Sequence, residues 1–119
     1  MLNTRYCQIQ HLKEENAILL EWKQFCKGED YQEPFHYGLE LIKKHNITTW
    51  ITDTTNGFEN EEADTMWLLK EIMPKFIDSS LGKIVFVISD DSPLMGEILG
   101  QKEALEKYFE VELIDDKHS

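Results

Sequence analysis

Apolar residues along this chain follow two spacings. Ile84-Val85-Phe86-Val87-Ile88 is apolar at every position, and a shorter run from Ile47 to Thr52 contains Trp50 and Ile51. Short apolar runs bounded by turn residues read as buried strands. Tyr6 to Leu12 alternates loosely, Ala17 to Trp22 follows, and the polar tetrad Lys13-Glu14-Glu15-Asn16 lies between them. That spacing predicts an antiparallel hairpin. The unbroken run from Ile84 to Ile88 predicts a central strand covered on both faces. Phe109 to Ile114 predicts a last strand, with Asp115 to Ser119 as a tail.

Helical spacing fills the gaps. Phe35, Leu39 and Ile42 recur at i, i+4 and i+7, which gives one buried stripe. This helix is expected to open near Asp30, with Asp30 and Glu33 in a capping-box-like pair and Pro34 in the first turn. Lys43, Lys44 and His45 close it, where positive charge suits the helix dipole. A second helix starts among Glu59, Glu61, Glu62 and Asp64. Its expected inner face is Ala63, Met66, Trp67, Met73 and Phe76, with Pro74 kinking or shortening the last turn. A third opens at Ser92-Pro93 and turns Met95, Leu99 and Leu105 inward. Asn56-Gly57, in the turn after Asp53, can take positive φ.

The order is therefore ββαβαβα followed by a strand. It predicts an α/β fold in which an N-terminal antiparallel hairpin leads into βαβαβ-type units and a mostly parallel, mixed sheet. At 119 residues the chain is expected to form one domain over residues 1–119. No internal repeat or interdomain linker is visible in it.

Composition narrows the function classes. Hydrophobic content is 41% and charged content 29%, as in a globular domain. Acidic residues outnumber basic ones by 23 to 12, for a net charge of −11. This argues against nucleic acid, whose phosphates need clustered Lys and Arg, and against anionic membrane surfaces. It suits solubility or a basic partner. No apolar stretch approaches the roughly 20 residues that cross a bilayer, and Met1 to Arg5 lacks the pattern of a secretory signal. A cytoplasmic location is expected. Cys7 and Cys26 stand outside any Cys-x-x-Cys spacing and read as buried reduced thiols.

Acids at strand ends are the main candidate chemistry. Asp53, the pair Asp90 and Asp91, and the pair Asp115 and Asp116 each follow a predicted parallel strand. Ligands of open α/β sheets sit at that edge, where carboxylates could hold Mg²⁺ or could simply cap helices and fill turns. The expected binding surface is Asp53, Asn56, Glu59, Glu61 and Glu62, with Asp90, Asp91 and Ser92 alongside. Asp53-Thr54-Thr55 lacks the second carboxylate of an Asp-x-Asp phosphatase, and the acid pairs of a phosphorelay receiver are misplaced. The four histidines show no metal spacing, and no phosphate loop or Gly-x-Ser-x-Gly elbow occurs. No catalytic residue, metal or cofactor is therefore expected. Most aromatics lie on inward stripes, with a pocket lined by Trp50 and Trp67 as the sharper alternative.

Several segments together carry a resemblance. These are Ile18-Leu19-Leu20-Glu21-Trp22, Gly28, the helix Tyr37 to His45, Ile47 to Asp53, Trp67 to Pro74 and Ile84 to Ile88. From Ile18 to Asp115 the chain resembles small bacterial proteins with a STAS-like fold, that of the anti-sigma-factor antagonists, and in particular a compact group found in Bacteroidetes-type bacteria. The resemblance implies a non-enzymatic binding or regulatory module that takes a protein partner or a small ligand. The antagonists carry a phosphorylatable Ser where this chain reads Phe58-Glu59-Asn60-Glu61-Glu62-Ala63-Asp64, so that switch is not expected. The glutamates there could stand in for a phosphorylated state. The rival reading is a small cation-dependent enzyme or ligand carrier using Asp53 with Asp90 and Asp91. A homodimer through the hairpin edge is a third.

Overall fold

A computed structural model describes residues 1–115. Asp116, Lys117 and His118, and with Asp116 the second half of the last acid pair, lie outside the described residues. Six strands form one mixed sheet in sequential order. They are β1 (Leu2–Asn3), β2 (Cys7–Leu12), β3 (Ala17–Trp22), β4 (Thr49–Asp53), β5 (Lys83–Val87) and β6 (Glu110–Ile114). The pairings β1–β2 and β2–β3 are antiparallel. Those of β3–β4, β4–β5 and β5–β6 are parallel. Helix α1 (Glu29–His45) links β3 to β4, and α4 (Met95–Leu105) links β5 to β6. Between β4 and β5, α2 (Glu62–Trp67) runs into a π-helical segment, Leu68–Ile72, and on into α3 (Met73–Ile77).

Sequential strand order has a strong consequence. Right-handed crossovers between neighbouring parallel strands carry every helix over the same face. Burial follows this rule. Ile18, Trp50 and Ile84 are in register and buried, as are Leu20 and Phe86 in the next row but one. The alternate row, Leu19, Ile51 and Val85, faces away from the helices. Leu19 and Ile51 are only half-buried, and Val85 is buried yet stands apart from the contiguous core. The expectation that the strand Ile84 to Ile88 is covered on both faces is therefore corrected. Its central position between β4 and β6 shields Val85 without a second layer of helices.

The helix ends depart from expectation in instructive ways. Helix α1 begins one residue earlier than predicted, and Gly28 caps it with φ +61° and no side-chain cap bond. Asp30 and Glu33 form no capping box. The carboxylate of Asp64, from α2, accepts the Gly28 N–H instead, at 3.1 and 3.3 Å. Pro34 lies inside the helix rather than in its first turn, and is buried. Asn46 closes α1 in the left-handed region at φ 52°, as is usual for a helix C-terminus. Positive φ among the non-glycine residues belongs to Asn16 and Asn46, not Asn56. Gly57 is needed for space, since an added Cβ would stand 3.0 Å from the Thr54 carbonyl oxygen and 3.1 Å from Leu94.

The inner faces of the later helices are also rotated from the prediction. Met66 and Leu99 are exposed, at 43% and 49%, and Ala63 is exposed as well. Asp64, Ile72 and Ile98 are buried in their place; of the expected residues Phe76 is buried, and Trp67 and Met73 are half-buried. The wide π turn breaks the 3.6-residue phase just ahead of Pro74, whose ring clashes with the preceding turn of a regular α-helix. Helix α4 starts at Met95 because Ser92 forms a local turn, its Oγ accepting the Leu94 N–H at 3.1 Å. This moves the helical phase and places Ile98, not Leu99, against the sheet. The predicted hairpin edge is altered too, because β1 pairs with Ile9 and Gln8 of β2.

Candidate functional site

The residues of the expected acidic surface lie on separate turns that follow the parallel strands and at the start of α2. Asp53 ends β4 in register with Glu21 and Val87, on the face away from the helices. Its Oδ1 accepts the Thr55 N–H at 2.9 Å. Asn56 and Glu59 are exposed on the following loop, and Glu61 and Glu62 are exposed at the start of α2. Asp90 is exposed, and Asp91 accepts the Ser89 hydroxyl at 2.6 Å. Asp115 follows β6. Among the described residues no three His, Cys, Asp or Glu side chains gather where a metal ion could be held. Asp53 and Asp91 thus accept bonds within their own turns.

A cavity of about 90 Å³ lies elsewhere, between the helix-covered face of the sheet, the π segment and α4. Its floor is Trp50, Thr52, Ile84 and Phe86, from adjacent strands. Trp22, Tyr31 and Phe35 close one side, and Leu68, Met73 and Phe76 another. The loop 57–60 and the inner side of α4 complete it, through Phe58, Asn60, Glu97, Ile98 and Gln101. The expected pocket of Trp50 and Trp67 is thus half right. Trp50 lines the cavity, whereas Trp67 packs edge-on against Tyr31, Phe35 and His36 at 6.3, 5.9 and 5.5 Å.

The walls are held by aromatic contacts and one close approach. Trp22 stacks on Tyr31 at 5.3 Å, and Phe35 stacks on Trp50 at 5.8 Å. The Trp50 ring lies against α1 where Gly38 leaves room. A Cβ there would be 2.4 Å from the ring, so only glycine lets this wall stand. The Trp50 Nε1–H donates to Thr52 Oγ1 at 3.0 Å, and the Thr54 hydroxyl donates to the Val87 carbonyl at 2.7 Å. The polar side-chain atoms of Trp50, Thr52 and Thr54 are thereby engaged.

Polar groups collect at the mouth. Asn60 Nδ2 donates to the Tyr31 hydroxyl at 2.9 Å. The Asn60 N–H reaches Glu97 Oε1 at 3.5 Å, the long end of hydrogen bonding. Burial raises the Glu97 carboxyl above its ordinary range, and the charge of Glu59 adds to this. Burial also raises the Tyr31 phenol. Both buried cysteines are free, and burial pushes the Cys26 thiol up to about 12, which removes it as a thiolate at neutral pH. The sequence reading missed Tyr31, Asn60, Glu97 and Gln101. Tyr31 was within reach, because it precedes Phe35 by four residues and extends the same stripe.

The fold and cavity together define an α/β protein with a six-stranded mixed sheet, helices on one face and an aromatic-walled void beneath them. No protein-family model matches the chain, and no solved structure matches it. The chain is similar to Signal transducer and activator of transcription 4 of Homo sapiens and of Mus musculus. Identity is 36% over 84 residues in each, covering 61% of this chain. The match spans 11% of the length of those proteins. No helix is long and apolar enough to cross a membrane among the described residues.

Proposed function

We propose that this chain is a binding module of the STAS-like, non-enzymatic kind, and that it takes a small, largely apolar ligand into the cavity beneath α4. The observation that carries this reading is the cavity itself. Apolar and aromatic walls with a few polar groups at the mouth are the usual makeup of a small-molecule site. The cavity runs along β4 and β5 from Trp50 and Ile84 to Thr54 and Leu94 beyond their carboxyl ends, the edge where open α/β sheets hold ligands. The π segment that contributes Leu68 and Leu69 adds support, since such segments concentrate at functional sites. Ligand occupancy would be read by a partner through the acidic turns beside the mouth, from Asp53 to Glu62 and from Asp90 to Ser92.

Titration with benzyl alcohol tests the cavity. Trp22 and Trp50 line it, so intrinsic tryptophan fluorescence should change and saturate. Ile98→Phe should fill the space and abolish the saturable change. A fluorescence response that persists unchanged in Ile98→Phe would place the ligand elsewhere and end this reading.

A further inference from the structure

Among the described residues, Glu97 is the single formally charged side chain lining the cavity. It makes no ion pair among the described residues, and its one hydrogen bond is the long contact from the Asn60 N–H to Oε1. Oε2 receives none. Gln101 lies one turn further along the same helix and brings a carboxamide to the same rim. A half-buried carboxylate without a cation, beside a second acid and facing an aromatic void, is costly to keep unless something compensates it.

Resting on the cavity reading above, we propose that the ligand is a small aromatic or aliphatic ammonium ion, with its apolar body in the void and its cationic head at Glu97. Three observations support this. The lining is almost wholly aromatic and aliphatic, which suits an apolar body. A cationic head finds its acceptors at Glu97 and Gln101, on the α4 side of the lining. The rings of Trp22, Tyr31 and Phe58 also line the cavity, Trp22 meeting Phe58 edge-on at 5.2 Å, and aromatic rings attract cations. Finally, among the described residues no Lys, Arg or His lines the cavity, and the net charge of −11 draws cations and repels anions. An anionic ligand would meet Glu97 with nothing to offset the repulsion.

Three nearly isosteric probes separate the outcomes: benzylammonium, benzyl alcohol and benzoate, titrated at pH 7 with tryptophan fluorescence and calorimetry as readouts. The proposal expects benzylammonium to bind at least about 10-fold more tightly than benzyl alcohol, and benzoate to bind weakest. In Glu97→Gln, benzylammonium should bind within about 3-fold of benzyl alcohol, both measured on the variant. If the alcohol binds as well as the ammonium in the wild type, or if the preference survives Glu97→Gln, the ammonium assignment is overturned and the apolar cavity stands. If none of the three binds, the cavity reading falls as well.

Discussion

Glu97 shows how a side chain can work against the fold that carries it. Burial, and then the charge of Glu59, lift its carboxyl above the ordinary 4.5, so the folded chain holds this proton more tightly than the unfolded chain. Stability then falls as pH rises from the ordinary value through the raised one, and the penalty persists at neutral pH. Below the ordinary value both states are protonated and the penalty is gone. Glu97→Gln keeps an acceptor for the Asn60 N–H and removes the charge. The variant should show a higher urea midpoint than the wild type at pH 7, with the gap closing below about pH 4. A lower midpoint at pH 7 would mean that the charge helps the fold. Tyr31 and Asn60 face Glu97 from α1 and the loop, and neither supplies a positive charge. Little of this was legible in the sequence. Glu97 sits in an unremarkable Met95-Gly96-Glu97-Ile98 stretch, and its setting depends on where α4 starts.

At the scale of elements, five of the six strands and the buried stripe of α1, Phe35, Leu39 and Ile42, were readable, whereas β1 and the faces of the later helices were not. Ala17–Trp22 was predicted with its observed bounds, and β2, β4, β5 and β6 to within a residue or two. Apolar runs between turns need no phase information. Helix faces do, and two local devices reset the phase: the turn held by Ser92 Oγ before α4, and the π segment ahead of Pro74. Asp64 is the clearest case. It was read as one acid among several favouring a helix start, yet it is 4% exposed and joins α2 to α1 through the Gly28 N–H. Asp64→Ala leaves that N–H without its acceptor and should cost about 1–3 kcal/mol, whereas Asp64→Asn should recover most of the loss. Chemical denaturation of the three proteins checks this. Equal losses in Ala and Asn would assign the effect to charge rather than to the hydrogen bond. Asp53 and the Asp90–Asp91 turn follow their strands as predicted, but a backbone amide occupies one oxygen of Asp53 and the Ser89 hydroxyl one of Asp91.

For the molecule as a whole, one arrangement explains both core and cavity. Strands in sequential order with right-handed crossovers put α1, the α2–α3 helix and α4 on one face. The core is then a single layer between sheet and helices, and a gap between neighbouring helices opens straight onto the sheet. The π segment and α4 leave such a gap above Ile84 and Phe86. The opposite face carries Leu19, Ile51 and Val87 beside Glu21 and Asp53, without helices over it. The order ββαβαβαβ was legible from apolar runs and turns. The cavity was not, because a void is set by side-chain fit across elements far apart in sequence. The most direct measurement is a set of intermolecular NOEs from bound benzyl alcohol to assigned methyl groups. The account predicts contacts to Leu68, Ile84 and Ile98, which line the cavity, and none to Leu19, Ile51 or Val87. Contacts confined to those last three residues would contradict it.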